Sequence, residues 1–425
     1  MTDLLRQQYE TFPYPLRDPQ EEKTRLLEGH PSHLLEVDHY IFGGRRDFRQ
    51  PLRVLVAGGG TGDAVMMLCQ HLADRGCPAE LVYLDLSTAS RAIAEARAAV
   101  RGLTTVRFVT GSLLELPSLG LGRFDYIDCC GVLHHLPDPG AALSLLAGAL
   151  SDTGGIGVML YGALGRTGVY DLQAILHRLA PIEMPAAQRV ETARRLLKQL
   201  PPTSRFVRNP LISDHRVGGD SALYDLLLHS HDVAYTVPEI RALADAAGLE
   251  ITALIEPWRY DPETYVNDGT LRRRLAGLDW LERAAVAELI VGNIKKHTVY
   301  LVRAGRRSEA VARPDDPEAV PVMRDDDAAK LAASLKPEGD INVSIDGFRT
   351  TLKVPRLARP ILTRVDGRRT LGQIQRDLAE NTGELRDWAS FVADFQQVFR
   401  VFNGINSLFL SRAGRPARAG ETDPG

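Results

Sequence analysis

Two histidine-containing segments have residue types suited to proton transfer. His134 and His135 follow an apolar stretch, and an imidazole titrates near neutral pH, so either ring could take a proton from a hydroxyl or an amine. The second segment is His229-Ser-His231-Asp232, in which His231 and Asp232 could reach a reacting atom. Both patterns are also found where such side chains only pack or form hydrogen bonds within a loop.

Metal binding is a further chemistry to weigh for these histidines. Two histidines at a spacing of two residues occur in metal sites, but such sites use three or four protein ligands. No carboxylate or cysteine cluster with matching spacing completes a set with His229 and His231, so we expect no metal centre. The cysteines fit neither a zinc knuckle nor a disulfide framework, and we expect reduced, buried thiols at Cys69, Cys77, Cys129 and Cys130.

A glycine-rich turn is the most informative segment. Val54-Leu-Val-Ala-Gly-Gly-Gly-Thr-Gly-Asp-Ala64 leads from an apolar strand through Gly58, Gly60 and Gly62 into a helix. Glycines permit a sharp turn and let a ligand lie directly against the backbone. The third glycine of a dinucleotide-binding G-x-G-x-x-G motif is missing, which argues against that class of site.

Asp85 ends the second apolar segment, in Leu81-Val-Tyr-Leu-Asp-Leu-Ser87. A carboxylate at the carboxyl end of a parallel strand can accept hydrogen bonds from both hydroxyls of a ribose. The alternative is that Asp85 caps the helix predicted for residues 88–100, a role that Ser87 could fill equally well. The pattern favours ribose binding.

These residues require a sheet that brings strand ends together. Strand-like segments at 53–57, 80–84, 105–110, 124–130 and 156–161 alternate with helical ones, and two more strands are predicted at 249–255 and 298–302. We therefore predict an α/β fold with a doubly wound, mostly parallel sheet. The helical insertion at 162–236 is expected to cap the ligand crevice.

The order of these motifs resembles that of class I S-adenosylmethionine-dependent methyltransferases. The likeness spans roughly residues 51–161, with weaker support to 302, and includes Gly111-Ser-Leu-Leu-Glu-Leu-Pro117 and the histidine pair. It implies an enzyme that moves a methyl group from S-adenosyl-L-methionine by in-line displacement. By this resemblance, the methionine part of the cofactor would contact Ala57, Gly58 and Gly60, and the ribose would contact Asp85, with Leu86 beside it. The adenine would border Gly111, Ser112 and Leu113. The sulfonium would lie beside Gly131 and Val132.

Two positions depart from that family pattern. Val56 stands where members often have an acidic residue, so a contact to the cofactor's amino group would depend on Asp63. Ser112 stands where many members have an aspartate for the adenine amine. We expect a rearranged or weaker cofactor site.

Candidate substrate contacts lie after the fifth predicted strand. Tyr161 ends that strand and could touch substrate or pack in the core, and Arg166 could hold an anionic group or remain a surface charge. Similar histidine pairs occur in family members with different substrates, which favours packing roles for His134 and His135. Residues 1–50 are expected to form an amino-terminal arm whose aromatic segment, Tyr9-Glu-Thr-Phe-Pro-Tyr-Pro15, could cover the cofactor.

The carboxyl-terminal third has a different composition. Residues 304–327 are rich in proline and aspartate and are predicted to be a linker, and 413–425 a disordered tail. Between them, 328–412 predict a small α+β domain that weakly resembles winged-helix modules that hold peptides. Its basic residues could also attract nucleic acid, and they are Lys353, Arg356, Arg359, Arg364, Arg368 and Arg369.

Composition sets outer limits on function. The 425 residues are 44% hydrophobic and 25% charged with a net charge of −3, which is typical of a globular protein without general attraction to polyanions. Apolar runs are too short to cross a membrane, and the amino terminus has no apolar signal core, so we expect a cytoplasmic protein. No pattern indicates the oligomeric state.

Three hypotheses remain open at this point. The first is a methyltransferase with a small-molecule or peptide acceptor. The second is a methyltransferase for RNA or protein recruited by the carboxyl-terminal domain, which salt-sensitive RNA binding would support. The third is a non-catalytic protein that binds S-adenosylmethionine or serves as a scaffold, and failure to bind the cofactor at millimolar levels would support the scaffold.

Overall fold

A seven-stranded sheet forms the centre of the computed structural model, which describes residues 2–325, 327–336, 339–382 and 387–414. Its spatial order is 3-2-1-4-5-7-6, and strand 7 runs antiparallel to both neighbours. The prediction of a doubly wound, mostly parallel sheet is confirmed. The strands are β1 (Leu52–Ala57), β2 (Ala79–Asp85), β3 (Val106–Thr110), β4 (Phe124–Cys130), β5 (Leu150–Tyr161), β6 (Leu249–Leu254) and β7 (Lys296–Arg303).

Helices cover both faces of this sheet, because its central strands are apolar on both sides. In β1, Leu55 and Ala57 enter one core cluster while Val54 and Val56 enter the other. The helices of this part are α1 (Thr2–Thr11), α2 (Leu34–Ile41), α3 (Asp63–Asp74), α4 (Thr88–Arg101), α5 (Pro139–Gly148), α6 (Val169–Leu179), α7 (Ala186–Leu197), α8 (Asp214–Val217), α9 (Gly219–Leu227), α10 (Val237–Ala246), α11 (Gly269–Leu275), α12 (Trp280–Val291) and α13 (Arg307–Ala310). In the described part of the chain, no helix has the length and apolarity of a membrane span.

β5 begins earlier than its sequence predicts. Leu150 already pairs with Phe124, and Gly155 pairs with Tyr126, so the glycine-rich segment between them forms an irregularity within the strand. The extra residues bulge out of the ladder without ending it.

The insertion after β5 has a core of its own, built from α6, α7 and α9. Phe206 and Ile212 from the connecting segments close this core. The sequence does not predict α9, because its Gly218-Gly219 start reads as a turn. This small helical unit therefore supplies a rigid wall of side chains next to the end of β5.

The segment predicted to be a linker is largely packed structure. Ala310, Ala312, Val320 and Val322 are buried, and Pro321–Met323 forms β8. This strand pairs antiparallel with β11 (Leu408–Leu410) at the far end of the carboxyl-terminal domain. The prediction of a linker was wrong here because the prolines and aspartates of the segment surround the short apolar run that forms this strand. The remaining elements are β9 (Asp340–Ile345), β10 (Phe348–Lys353), α14 (Ala328–Ser334), α15 (Ala358–Leu362), α16 (Leu371–Thr382), α17 (Trp388–Gly404) and β11 (Leu408–Leu410).

The predicted disordered tail falls almost entirely outside the described residues, which end at 414. The carboxyl-terminal domain itself is held to the sheet by a buried charge. Glu36 on α2 lies 2.8 Å from His30 and 3.2 Å from Arg324, and it accepts a hydrogen bond from Asn406. Burial alone would raise the pKa of Glu36, but His30, His33 and Arg324 outweigh it and hold that pKa at about 2. The ion pair therefore ties α2 to the far end of the chain.

Candidate active site

The turn after β1 has no room for side chains. Gly58 and Gly60 have φ of +76° and +49°, and a Cβ on Gly58 would lie 2.3 Å from the Val132 side chain. Asp85 fixes the turn from the next strand, since its carboxylate accepts the N–H groups of Gly60 and Ser87 at 2.8 Å each. Burial raises the pKa of Asp85, while these N–H donors lower it.

Helix α4 is capped by Ser87, not by Asp85. The Ser87 hydroxyl accepts the N–H of Ser90 at 3.0 Å. Asp85 is thus free of the capping role that the sequence leaves open for it. Its carboxylate stands at the carboxyl edge of the sheet, where open α/β sheets bind ligands.

The amino-terminal arm crosses this edge of the sheet. Thr61 donates a hydrogen bond to the Pro15 carbonyl at 2.6 Å, and Ser87 donates to the Tyr9 carbonyl at 3.1 Å. The Glu10 carboxylate accepts the N–H groups of Thr88 and Ala89, at 2.5 and 3.0 Å, at the start of α4. An anion is favoured there by the helix dipole, so the arm is anchored beside the turn.

Asp63 is part of a buried ion network. Arg17 from the arm binds it with two nitrogens, the shorter contact being 2.6 Å, and Arg97 binds it at 2.7 Å. Arg97 also pairs with Glu22 at 2.6 Å. The Asp63 carboxylate therefore already has two cations.

A second polar group lies beside the ends of β4 and β5, under the cap. Tyr161 donates a hydrogen bond to Asp225 at 3.2 Å, and the Tyr9 hydroxyl lies 3.4 Å from Asp225 and 3.3 Å from His229 Nε2. The His135 and His229 rings stack with centroids 3.7 Å apart. Four segments that are distant in sequence thus meet in one largely buried cluster.

Hydrogen bonds define the tautomers of the stacked rings. His135 Nδ1 faces the His231 carbonyl at 3.0 Å, so this nitrogen carries a proton, and in the neutral ring Nε2 is the one with the lone pair. His229 has the opposite arrangement, because its Nδ1 accepts the His231 N–H at 3.1 Å. Burial holds the pKa of His229 well below its usual value, so this ring is neutral with its proton on Nε2.

Asp225 is a buried carboxyl group at the centre of this cluster. It is 4% exposed, and no ion pair reaches it in the described part of the chain. Arg166, whose charge also acts on Asp225, is paired with Asp232 at 2.8 Å. Burial and the nearby Asp232 raise the pKa of Asp225, while His135, Arg166 and the Tyr161 hydroxyl act in the opposite direction.

The sequence analysis found no carboxylate to join the histidines in a metal site, but the structure places Asp225 beside two of them. Ligand atoms of His135, Asp225 and His229 all lie within 4.8 Å of one another. However, the two rings are within 23° of parallel at 3.7 Å, so their in-plane lone pairs do not converge on one ion. A metal-bound histidine also donates its second N–H, whereas His229 uses that nitrogen as an acceptor. The arrangement suits proton exchange better than metal coordination.

Comparison with known proteins indicates the class of enzyme to which this fold and site correspond. Residues 55–156 match the family described as a methyltransferase domain. A PKMT2 structure from Rickettsia typhi, in complex with AdoHcy, is similar to this chain with a TM-score of 0.60 and 16% identity, over 90% of this chain and 75% of that one. An uncharacterized protein of Synechococcus sp. is 27% identical over 304 residues, which are 70% of each chain.

The chain contains a class I methyltransferase domain. The matched region includes the glycine turn, Asp85 and the histidine pair, and the strand order is that of the class. Residues 55–156 are accordingly a methyltransferase domain, and S-adenosyl-L-methionine is the cofactor expected of such a domain.

In the methyltransferase domain, the residues assigned to the cofactor by resemblance meet at one edge of the sheet. Gly111 donates its N–H to the Asp85 carbonyl at 2.9 Å, and Val132 packs against Gly58. Gly131 has a φ of +76°. The side chains of Ala57 and Leu113 are buried and Leu86 is half-buried, so a ligand would meet mainly the backbone at the first two.

The two departures from the family pattern also have structural roles. Val56 is buried in the core. The Ser112 hydroxyl accepts the N–H of Leu114, and Glu115 accepts the N–H of Ser112, in a capping box for the 3-10 helix Leu113–Leu119. With Asp63 held by two arginines, this edge offers ligand contacts chiefly from Asp85 and backbone groups.

The predicted catalytic residues occupy different positions in the cluster. His134 is fully buried against Tyr161, with ring centroids 3.9 Å apart, and its two nitrogens have no partner among the described residues. Burial lowers its pKa far below the usual value, so it is neutral. His231 joins the cluster through its backbone, while Asp232 is occupied by Arg166.

Arg166 therefore has little charge to offer an anionic substrate. It lies over the Tyr161 ring at 3.7 Å and is 4% exposed. The sequence analysis missed Asp225 and considered Tyr9 only as part of an arm over the cofactor. Asp225 lies in α9, whereas His229 follows the end of that helix at Leu227, so helical spacing alone does not pair them.

Proposed function

We propose that the protein transfers the methyl group of S-adenosylmethionine to the nitrogen of an amine, carried by a small molecule or peptide that binds under the cap. The observation that carries this proposal is the buried Asp225 carboxyl group, which forms no ion pair with any described residue. A buried charge without a partner is costly, and an incoming ammonium group would supply the missing opposite charge.

The cofactor supplies a methyl group bound to a sulfonium, which leaves as a neutral thioether when a nucleophile attacks in line. By resemblance, Asp85 would hold the ribose, and Gly131 and Val132 would lie beside the sulfonium. His135 is three residues beyond Val132, and Tyr9 connects Ser87, next to Asp85, with Asp225. These contacts support placing the Asp225 cluster next to the transferred methyl group.

An amine must lose a proton before it can attack. His135 is suited to accept that proton, because Nδ1 donates to the His231 carbonyl and Nε2 keeps a free lone pair. The imidazolium that forms would be stabilised by Asp225 across the cluster. Asp225 would first bind the ammonium and then favour the positive charge that develops on nitrogen during transfer.

A hydroxyl acceptor fits this site less well. It would have to approach oxyanion character beside Asp225, and two like charges in a buried site repel strongly. Tyr161 and Tyr9 both donate toward the same carboxylate and would not compensate an oxyanion.

Recruitment of nucleic acid by the carboxyl-terminal domain receives little support from its charges. Lys353 pairs with Asp340 at 2.7 Å and Arg364 with Asp377 at 2.5 Å, while Arg369 contacts Asp366 at 2.9 Å. Much of the basic cluster is therefore neutralised within the domain. The ordered proton-accepting cluster likewise favours an enzyme over a scaffold.

The test is transfer of label from methyl-labelled S-adenosylmethionine to matched pairs of acceptors. Each pair consists of an amine and the alcohol of the same skeleton, presented as free compounds and as peptides. We expect label in the amine members and its loss in Asp225→Asn, with Asp152→Asn, whose side chain is 91% exposed, as the matched control. Label confined to alcohols, or transfer unchanged in Asp225→Asn, would contradict the proposal.

A further inference from the structure

We propose that Tyr9, carried by the amino-terminal arm, is a positioning residue of the acceptor site: its hydroxyl orients Asp225 and keeps that carboxylate charged. This inference rests on the proposed function, in which Asp225 binds the amine. It assigns a role in the acceptor site to the arm, in addition to any covering of the cofactor.

The direction of the hydrogen bonds supports the assignment. Because His229 Nδ1 accepts the His231 N–H, its proton is on Nε2 and points to the Tyr9 oxygen at 3.3 Å. The Tyr9 proton is then available for Asp225 at 3.4 Å. A chain runs from His229 through Tyr9 to the carboxylate, and donation at its end favours the charged form of Asp225.

Tyr9 also remains a donor throughout the accessible pH range. Burial and the nearby Asp225 charge raise the pKa of Tyr9 well above its usual value. Tyr161 donates to the other oxygen of the carboxylate at 3.2 Å. The two tyrosines together hold both oxygens, so the orientation of Asp225 depends on each.

The position of Tyr9 is set by contacts on both sides of it. Its carbonyl accepts the Ser87 hydroxyl, and the neighbouring Glu10 is bound at the start of α4. On the other side, Phe12 stacks on Tyr224 with ring centroids 4.8 Å apart, one residue before Asp225. The arm thus spans the cofactor edge and the cap, and the acceptor site is complete only with the arm in place.

The experiment measures binding of two cofactor analogues to the full-length protein by calorimetry. S-adenosylhomocysteine has a neutral thioether, whereas sinefungin carries an amine where the transferred methyl group would be. We expect wild type to prefer sinefungin and Asp225→Asn to lose this preference. Tyr9→Phe should reduce the preference about tenfold, the effect of one hydrogen bond to a charged group, while its affinity for S-adenosylhomocysteine stays within twofold.

Tyr265→Phe is the matched control, because it removes a hydroxyl that donates to the Arg259 carbonyl, in contact with the Phe348 ring. It should leave both affinities unchanged. Incorporating 3-fluorotyrosine at position 9 keeps the hydroxyl and should retain the preference, which guards against a folding defect in Tyr9→Phe.

The outcomes separate this inference from the proposed function. A wild-type protein without preference for sinefungin would overturn the amine site itself. A preference lost in Asp225→Asn but retained in Tyr9→Phe would overturn the role of Tyr9 and leave the amine site standing. Equal losses for both analogues in Tyr9→Phe would show that the residue serves only the fold or the cofactor pocket.

Discussion

Replacing Asp85 by asparagine tests the cofactor site most directly. In the free protein this carboxylate already accepts the N–H groups of Gly60 and Ser87 at 2.8 Å each, and two ribose hydroxyls would add two charge-assisted bonds. An asparagine offers a single neutral oxygen and turns an N–H₂ group toward the same donors. At about 1.5 kcal/mol for each ribose bond, the loss is about 3 kcal/mol, or about a 150-fold rise in Kd.

The assay is calorimetric titration of S-adenosylhomocysteine into wild type, Asp85→Asn and Asp152→Asn, with thermal unfolding of each. The Asp152 variant makes the same chemical change at a side chain that is 91% exposed and should bind as wild type does. A Kd for Asp85→Asn within threefold of wild type, in a protein that still unfolds cooperatively, would refute the assignment of the ribose to this carboxylate.

Two further predictions concern the glycine turn and the buried charge on α2. Gly58→Ala should abolish S-adenosylhomocysteine binding, because the new Cβ would meet Val132 at 2.3 Å. Gly102→Ala is the control and should bind normally in the same titration. Gly102 has a similar φ of +71°, but a Cβ there would have nothing within 4 Å. Glu36→Gln should lower the free energy of unfolding at pH 7 by about 3 kcal/mol, since the pKa of Glu36 is lowered from 4.5 to about 2. That stabilisation is present above pH 4.5 and is lost as the pH falls through 2, so denaturant titrations should show the two proteins converging with acid; a difference that grows toward pH 3 would contradict the charge assignment.

Local sequence patterns predicted the sheet well because the residue types that a strand or turn requires are found within one short segment. A strand buried on both faces, as β1 is, must be apolar throughout, and a turn that brings the backbone close to Val132 needs glycine at 58. The predicted linker shows where composition misleads. Its prolines and aspartates surround the short run 319–323, which becomes a strand only because Leu408–Leu410 lies beside it.

The acceptor side of the site could not be predicted in the same way. The motif analysis proposed Asp232 and Arg166 as separate functional groups, but folding pairs them with each other at 2.8 Å. It also missed Asp225, whose helix begins with two glycines that resemble a turn. A side chain's protonation and free charge depend on partners that lie far away in the sequence.

The amino-acid sequence by itself determined the class I sheet, the glycine turn and the aspartate at the end of β2, because each follows from the period and residue types of one short segment. Only the tertiary structure brought together the groups of the proposed acceptor site. Tyr9, His135 and Asp225 come from an arm, a strand end and a cap helix, and no local pattern relates them. Among the described residues, none forms an ion pair with the buried Asp225, and the proposed chemistry follows from that unpaired carboxyl group.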